Sequence, residues 1–560
     1  MRTPVILAAV AALQILSATN KSAPDFHKQI DKQDRIQHAL NRLTFGPQPG
    51  DVERVQAIGM KKWIDLQLHP YRIAESPVLE AKLQPLDSLF MTTQTLVENY
   101  PEPQMVRRMV NGRLAWPSDP DKRLMIERLA ERYERRQKLA APPPPEEEMA
   151  ELLTPDQVRA LRTGTPNQRL ATFESVPASR QNDLLLALPQ PIRQTMFAPA
   201  PPELRRKLDL ANGPVQVVAS DLSQGKLLRA IYSNRQLEEV LTDFWFNHFN
   251  VYLDKSADHF LVTAYERDVI RPQVLGKFRD LLEAVAKSPA MLFYLDNWQS
   301  RATPTQRVRG NNQNGGLNEN YGRELMELHT LGVDGGYTQH DVTEVARCFT
   351  GWTIDRPSEG GPFTFNPRMH DQGAKTVLGV KIPAAGGIQD GEKVLDILAH
   401  HPSTAHFISR KLAVRFVADD PPPALVDRMA QTFLKTGGDL RAVMTTMLDS
   451  KEFWSVGAYH SKLKSPLEMV ASAVRAVNGD VDFATNLVNQ VAQMGEPLYR
   501  KQEPTGYANS SSEWLNSAGL LARMNFALAL ADNRVPGVTV DPVPGLPSAG
   551  SLASPDFQRH

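Results

Sequence analysis

Residues 318–352 crowd Glu324, Glu327, His329, Asp341 and Glu344 into two helical segments and a turn. Carboxylates and an imidazole in such company are the side chains of general acid/base chemistry or of an oxygen-rich metal site. A second pair, His370-Asp371, follows Pro367 in an expected loop, where functional groups concentrate. Glu324, Glu327, His329, Asp341, His370 and Asp371 are therefore the candidate catalytic residues. Two of the first set also have a structural reading: Arg323 and Glu327 have the spacing of an i,i+4 surface pair, and Asp341 that of a helix cap. An EF-hand is excluded, because counting from Asp334 places Gln339 where the loop needs glycine and Val345 where it needs glutamate.

The elements that would position these groups are legible from periodicity. Tyr321, Leu325 and Leu328 make an apolar stripe over a helix at 319–330, with Asn320, Glu324 and Glu327 about 100° round from it, at the edge of the core. Asp334-Gly335-Gly336 is a turn, since glycine takes positive φ without steric cost. Thr338 then reads as an N-cap with Asp341 in the acidic place of a capping box, and a second helix runs to about Phe349.

At 560 residues the chain is too long for one ordinary core, so two or three units are expected. Sixty-three basic and 63 acidic residues cancel, leaving no global field toward nucleic acid or an anionic membrane. The single cysteine, Cys348, excludes an intramolecular disulfide, thiolate zinc, iron–sulfur and c-type haem sites, and is read as a packed core residue. A basic start and the apolar run 5–16 match a signal peptide over 1–18, which predicts a periplasmic or secreted protein with no membrane span in the mature chain.

The expected organisation is mainly α, with few short strands. Helices at 26–100 complete a main helical domain at 215–535. Between them lies a Pro- and charge-rich insertion, 101–214, and a disordered tail closes the chain at 536–560. Inside the insertion Pro155, Pro166, Pro177, Pro189 and Pro199 recur at about eleven residues, which predicts single short helices with proline at N1. It reads equally as a lid or partner surface and as a mobile spacer. Strands are expected near 363–365 and 376–382.

Other polar blocks are weighed likewise. His248 in Phe244-Trp-Phe-Asn-His-Phe249 is read first as a hydrogen-bonded core histidine and second as a ligand. The segment from Thr404 is an amphipathic helix with Phe407, Ile408, Leu412 and Phe416 inward. No nucleophile elbow, His-Glu-x-x-His, phosphate loop or dinucleotide fingerprint is present. No cofactor or metal is assignable.

Ordered blocks outside the insertion carry a resemblance. They are Asn41-Arg-Leu-Thr-Phe-Gly46, the aromatic block 244–249, Tyr294-Leu-Asp-Asn297, the stretch 318–352, His370-Asp371 with Lys375, 404–423, Lys464-Ser-Pro466, and Pro504-Thr-Gly-Tyr507 with Trp514. In these the chain resembles the bacterial family domain of unknown function 1800. The resemblance implies an exported protein, often encoded beside a sulfatase-like family of unknown function 1501 that would supply a partner, and brings no catalytic residues to carry over. Two functions stay open: a hydrolase-like enzyme acting on an extracytoplasmic polymer through the Glu/Asp/His set, and a non-catalytic assembly or binding protein. Convergence of those side chains in a concave pocket favours the first, a network of surface ties the second.

Overall fold

The structure, a computed structural model, describes residues 25–138, 145–302, 316–541 and 545–560. The expected export segment 1–18 and the prolines 142–144 lie outside them. Among the described residues no helix is long and apolar enough to cross a membrane. The chain is mainly α, with three two-stranded antiparallel pairs. It divides into two compact units, one joining the chain up to Lys82 to Ser223–His560, the other Leu83–Leu222.

In the first unit the helices that matter below are α1 Asp34–Leu43, α2 Gln236–His248, α3 Glu319–Met326, α4 Gln339–Cys348, α5 Gln389–Ala399, α6 Pro402–Phe416 and α7 Pro466–Ala476. α2 is buried almost all round, as its aromatic block requires: Trp245 stacks on Phe249 and donates its indole N–H to Val274 O at 3.1 Å. α3 and α4 approach closely because Gly322 lacks a side chain; a Cβ there would lie 2.9 Å from Val342 O. Where the stripe predicts one helix over 319–330, the α-helix stops at Met326 and a π turn follows, Glu327–Leu331. Thr330 accounts for the difference, since its hydroxyl donates to Leu325 O, five residues back, at 2.7 Å.

The expected strands pair locally. β1 Trp352–Ile354 lies antiparallel to β2 Phe363–Phe365, and β3 Lys375–Val377 to β4 Val380–Ile382. Leu378 and Gly379, both at positive φ, form the two-residue turn between β3 and β4. β1 was too short and too apolar to declare itself, and β5 Asp480–Val481 with β6 Val538–Thr539 is a two-residue ladder between distant segments.

The second unit is the insertion with wider bounds than 101–214, and it has a core of its own. Helices begin at or just after the recurring prolines, as Pro155–Thr163, Pro166–Glu174, Ala178–Ala187 and Gln190–Phe197; the last opens at Pro202 instead of Pro199. Thr154 with Gln157 and Thr165 with Gln168 make full capping boxes. Leu161, Phe173, Leu184, Met196 and Leu208 are fully buried, so these helices pack on one another and are no spacer.

The tail also differs from expectation. Residues 545–560 carry Ala549–Leu552 and Pro555–Gln558, with Leu552 fully buried. Arg559 pairs with Leu463, and His560 Nδ1 lies 3.0 Å from Asn41 O. Composition counts the prolines and serines but misses one buried leucine and a backbone ladder.

Candidate functional site

α3 begins at Asn318, whose side-chain oxygen accepts the Tyr321 N–H at 3.1 Å. Tyr321 and Leu325 are buried and leave Glu324 and Glu327 half-buried at the core edge. Arg323 does not pair with Glu327; it donates to Gln339 Oε1 at 2.6 Å, while Glu327 accepts the Tyr337 hydroxyl at 3.0 Å. Burial, then repulsion from Glu327, raises the Glu324 carboxyl. His329, in the π turn, points inward. Burial and then the charge of Lys411 push its ring down to about 3, and its Nε2 is buried without a hydrogen-bond partner. His248 Nε2 reaches the His329 carbonyl at 3.0 Å, and Lys411 Nζ sits 3.1 Å from His248 Nδ1.

Asp341, His370 and Asp371 belong to a different set of contacts. Asp341 completes the capping box with Thr338 and accepts the Leu378 N–H at 2.8 Å, holding the strained hairpin turn. Glu344, one turn on, accepts the Thr376 N–H at 2.7 Å. Arg347 bridges Glu344 at 2.6 Å and takes Asp371 in a fork at 2.9 and 3.0 Å. The arginine hydrogen bond holds the Asp371 carboxyl below its ordinary value. His370 lies between Thr350 O at 2.8 Å and Asp390 Oδ2 at 3.1 Å, and the same Asp390 oxygen takes Lys375 Nζ at 2.6 Å. Both sets of sequence candidates are thus placed: Glu324, Glu327 and His329 on α3 and its π turn, and Asp341, His370 and Asp371 in the ties that fasten β3–β4 to α4. Among the described residues, no group of histidine, cysteine and carboxylate side chains is arranged to hold a metal ion.

A third cluster, which sequence reasoning missed, lines a cleft of about 20 Å³, room for about one water. α7 opens with a capping box in which Ser465 Oγ accepts the Glu468 N–H at 3.3 Å and Glu468 accepts the Ser465 N–H at 2.7 Å. Arg415 of α6 meets the other Glu468 oxygen at 2.5 Å. Burial works to raise the Glu468 carboxyl, but Arg415 and then His560 overturn it and hold the group at about 2. Glu496 faces the same cleft and accepts the Leu467 N–H at 2.8 Å. Burial, with repulsion from Asp243 added, raises it to about 8. Lys462, paired with Asp419 at 2.5 Å, is lowered by burial to about 8. On the opposite wall the Tyr507 N–H donates to Asn247 Oδ1 at 3.2 Å. That approach needs Gly506 at positive φ, where a Cβ would come within 2.1 Å of Asn247 O. Tyr507 and Trp514 pack ring against ring at 5.8 Å.

The profile of the family described as "Protein of unknown function (DUF1800)" matches residues 38–557. The chain belongs to that family. No curated protein and no solved structure matches it. Four of the DUF1800 blocks read in the sequence meet at this cleft: 244–249 through Asn247, 404–423 through Arg415, 464–466 through Ser465, and 504–507 through Tyr507, with Trp514 beside them. The one local signal for the cleft was Ser465-x-x-Glu468, a capping box by its spacing. Glu496 has no local signature at all, because its environment is assembled from segments far apart in sequence.

Proposed function

We propose that the protein is a hydrolase-type acid/base enzyme whose centre is the cleft of Glu468 and Glu496. The observation that carries this reading is that two carboxylates line one cleft in opposed surroundings: Arg415 meets Glu468 and holds it below its ordinary value, while burial, with Asp243 added, raises Glu496. Such a separation assigns roles: Glu496 is the proton donor and Glu468 stays ionised. In hydrolysis, the one water that the cleft has room for adds to the electrophilic centre of a polymer lying across its mouth, while Glu496 gives its proton to the leaving oxygen. Glu468, steadied by Arg415, holds the water and balances the positive charge that develops on it, and the proton the added water then sheds returns to Glu496, restoring the acid. Tyr507 and Trp514 supply an apolar wall. Glu324 and Glu327 are a weaker centre, because neither lines this cleft and Glu327 is held by Tyr337. The basic start and apolar run at 1–16 support export, and with it a periplasmic or secreted polymer as substrate.

A second reading, an assembly or binding protein working with an exported partner of the 1501 family, is favoured by a cavity of about 430 Å³ in the second unit, within the range of ligand sites. The test is Glu496→Gln beside Glu468→Gln, with complementation of a deletion strain and release of soluble fragments from an envelope polymer fraction. The acid/base reading expects Glu496→Gln to fold and lose function, and wild-type turnover to fall as pH rises through about 8. Full function in both folded variants overturns it and leaves the binding reading.

A further inference from the structure

Lys411 lies on α6, one turn before Arg415, and is not among the residues that line the Glu468/Glu496 cleft. Its stem passes the Phe407 ring, with Nζ 5.1 Å from the ring centroid, and its head ends 3.1 Å from His248 Nδ1. The protonation of that histidine follows from its other nitrogen. Nε2 is 3.0 Å from the His329 carbonyl, which only accepts, so Nε2 carries the hydrogen and Nδ1 presents a lone pair to Lys411. Burial, then the charge of Lys411, drives the His248 ring well below its ordinary value, so this acceptor stays neutral. Among the described residues no carboxylate pairs with Lys411, in contrast to Lys226, Lys375 and Lys462, which each hold one. Desolvation therefore acts on this amine without an opposing charge, and lowers it to about 8. His329, on the neighbouring π turn, adds a buried Nε2 that has no partner.

We propose that Lys411 is a nucleophilic amine that forms an imine with a carbonyl compound, an aldehyde or a ketone. A lysine held by a neutral nitrogen in an apolar surround is the arrangement of Schiff-base lysines. The Nζ lone pair bonds to the carbonyl carbon as the C=O π pair moves to oxygen. His248 Nδ1 takes an N–H proton and returns it to the oxygen, giving a carbinolamine. A second N–H proton follows the same route to the hydroxyl, which leaves as water while the nitrogen pair closes the C=N bond. The sum is amine plus carbonyl giving imine plus water, with no change of oxidation state.

Full-length protein is incubated at pH 7 with pyruvate or acetaldehyde and sodium cyanoborohydride, which reduces the imine to a stable secondary amine, and the labelled lysines are mapped by mass. Lys61 and Lys381, both exposed, serve as comparators in the same digest. An amine at about 8 is neutral roughly two orders of magnitude more often at pH 7 than an ordinary lysine. Labelling at Lys411 is expected to exceed the comparators by at least about tenfold, allowing for lower intrinsic nucleophilicity, with a pH midpoint near 8. Lys411→Arg removes the fast site. Glu496→Gln labels like wild type, which keeps this result separate from the hydrolase reading. Labelling at Lys411 no faster than at Lys61 and Lys381 overturns the proposal, and wild-type mapping alone decides it if the arginine variant does not fold.

Discussion

Asp390→Asn tests whether the His370, Asp371 and Lys375 block is a fastening. Asp390 is 1% exposed, and one of its oxygens holds both Lys375 Nζ at 2.6 Å and His370 Nε2 at 3.1 Å. Lys375 itself is 2% exposed, so the variant leaves an ammonium in the interior whose nearest carboxylate is Asp371, at 4.0 Å and already taken by Arg347, beside the Asp371 carbonyl. Removing one partner of a buried pair costs about 3–5 kcal/mol, because the other charge stays desolvated. At about 1.4 kcal/mol per tenfold, the local opening constant of the β3–β4 hairpin should rise roughly 10²- to 4 × 10³-fold. Hydrogen exchange at the Thr376 and Leu378 amides reads this directly, since those N–H groups bond Glu344 and Asp341. Asp390→Leu combined with Lys375→Met removes both charges and should cost less than the single change. A loss under about 1 kcal/mol for Asp390→Asn would refute the argument and show that the ammonium is satisfied without its carboxylate.

Glu327→Gln should shift stability by under about 1 kcal/mol, since a glutamine can still accept from the Tyr337 hydroxyl; chemical denaturation measures it. Thr338→Ala should cost about 1 kcal/mol through loss of the α4 cap, seen as faster exchange at the Asp341 amide. His38 and His329 are both held at about 3 by burial, far below their unfolded value near 6.5. Their stability contribution is therefore present above about 6.5 and lost as pH falls toward 3, at about 1.4 kcal/mol per pH unit for each; His329→Gln should flatten that slope by one proton in unfolding titrations. Excising 142–199 should leave the first unit folded but unfold the second, whose core loses Leu161, Phe173, Leu184 and Met196; a surviving protease-resistant second unit would count against it.

The sequence was clear wherever the cause is local. Thr338 with Asp341 predicted a cap and made one, and the prolines at 155 and 166 opened helices where N1 tolerates them. It was silent where the cause is distant. Thr330 turned the end of the first helix into a π turn through one hydroxyl, and Arg323 chose Gln339 across the α3–α4 contact over the acid one turn along its own helix. Glu468 and Glu496 share a cleft only because α6, α7 and residues 496–514 meet there. Their opposed protonation comes from burial and from Arg415, neither of which periodicity reports.

The first unit is closed by partners from opposite ends of the chain. Asn41 O waits for His560, 519 residues later, and Arg42 for the Ser461 hydroxyl and the Val417 carbonyl. A ribosome adding about 5–20 residues per second separates the emergence of α1 from that of its last partner by roughly 25 to 100 s. Through that interval the Asn41 carbonyl lacks its native partner, whereas the second unit is complete by Leu222 and free to fold first. The order of synthesis is thus the reverse of the order of closure, and the nascent chain has a long window in which a chaperone can hold it.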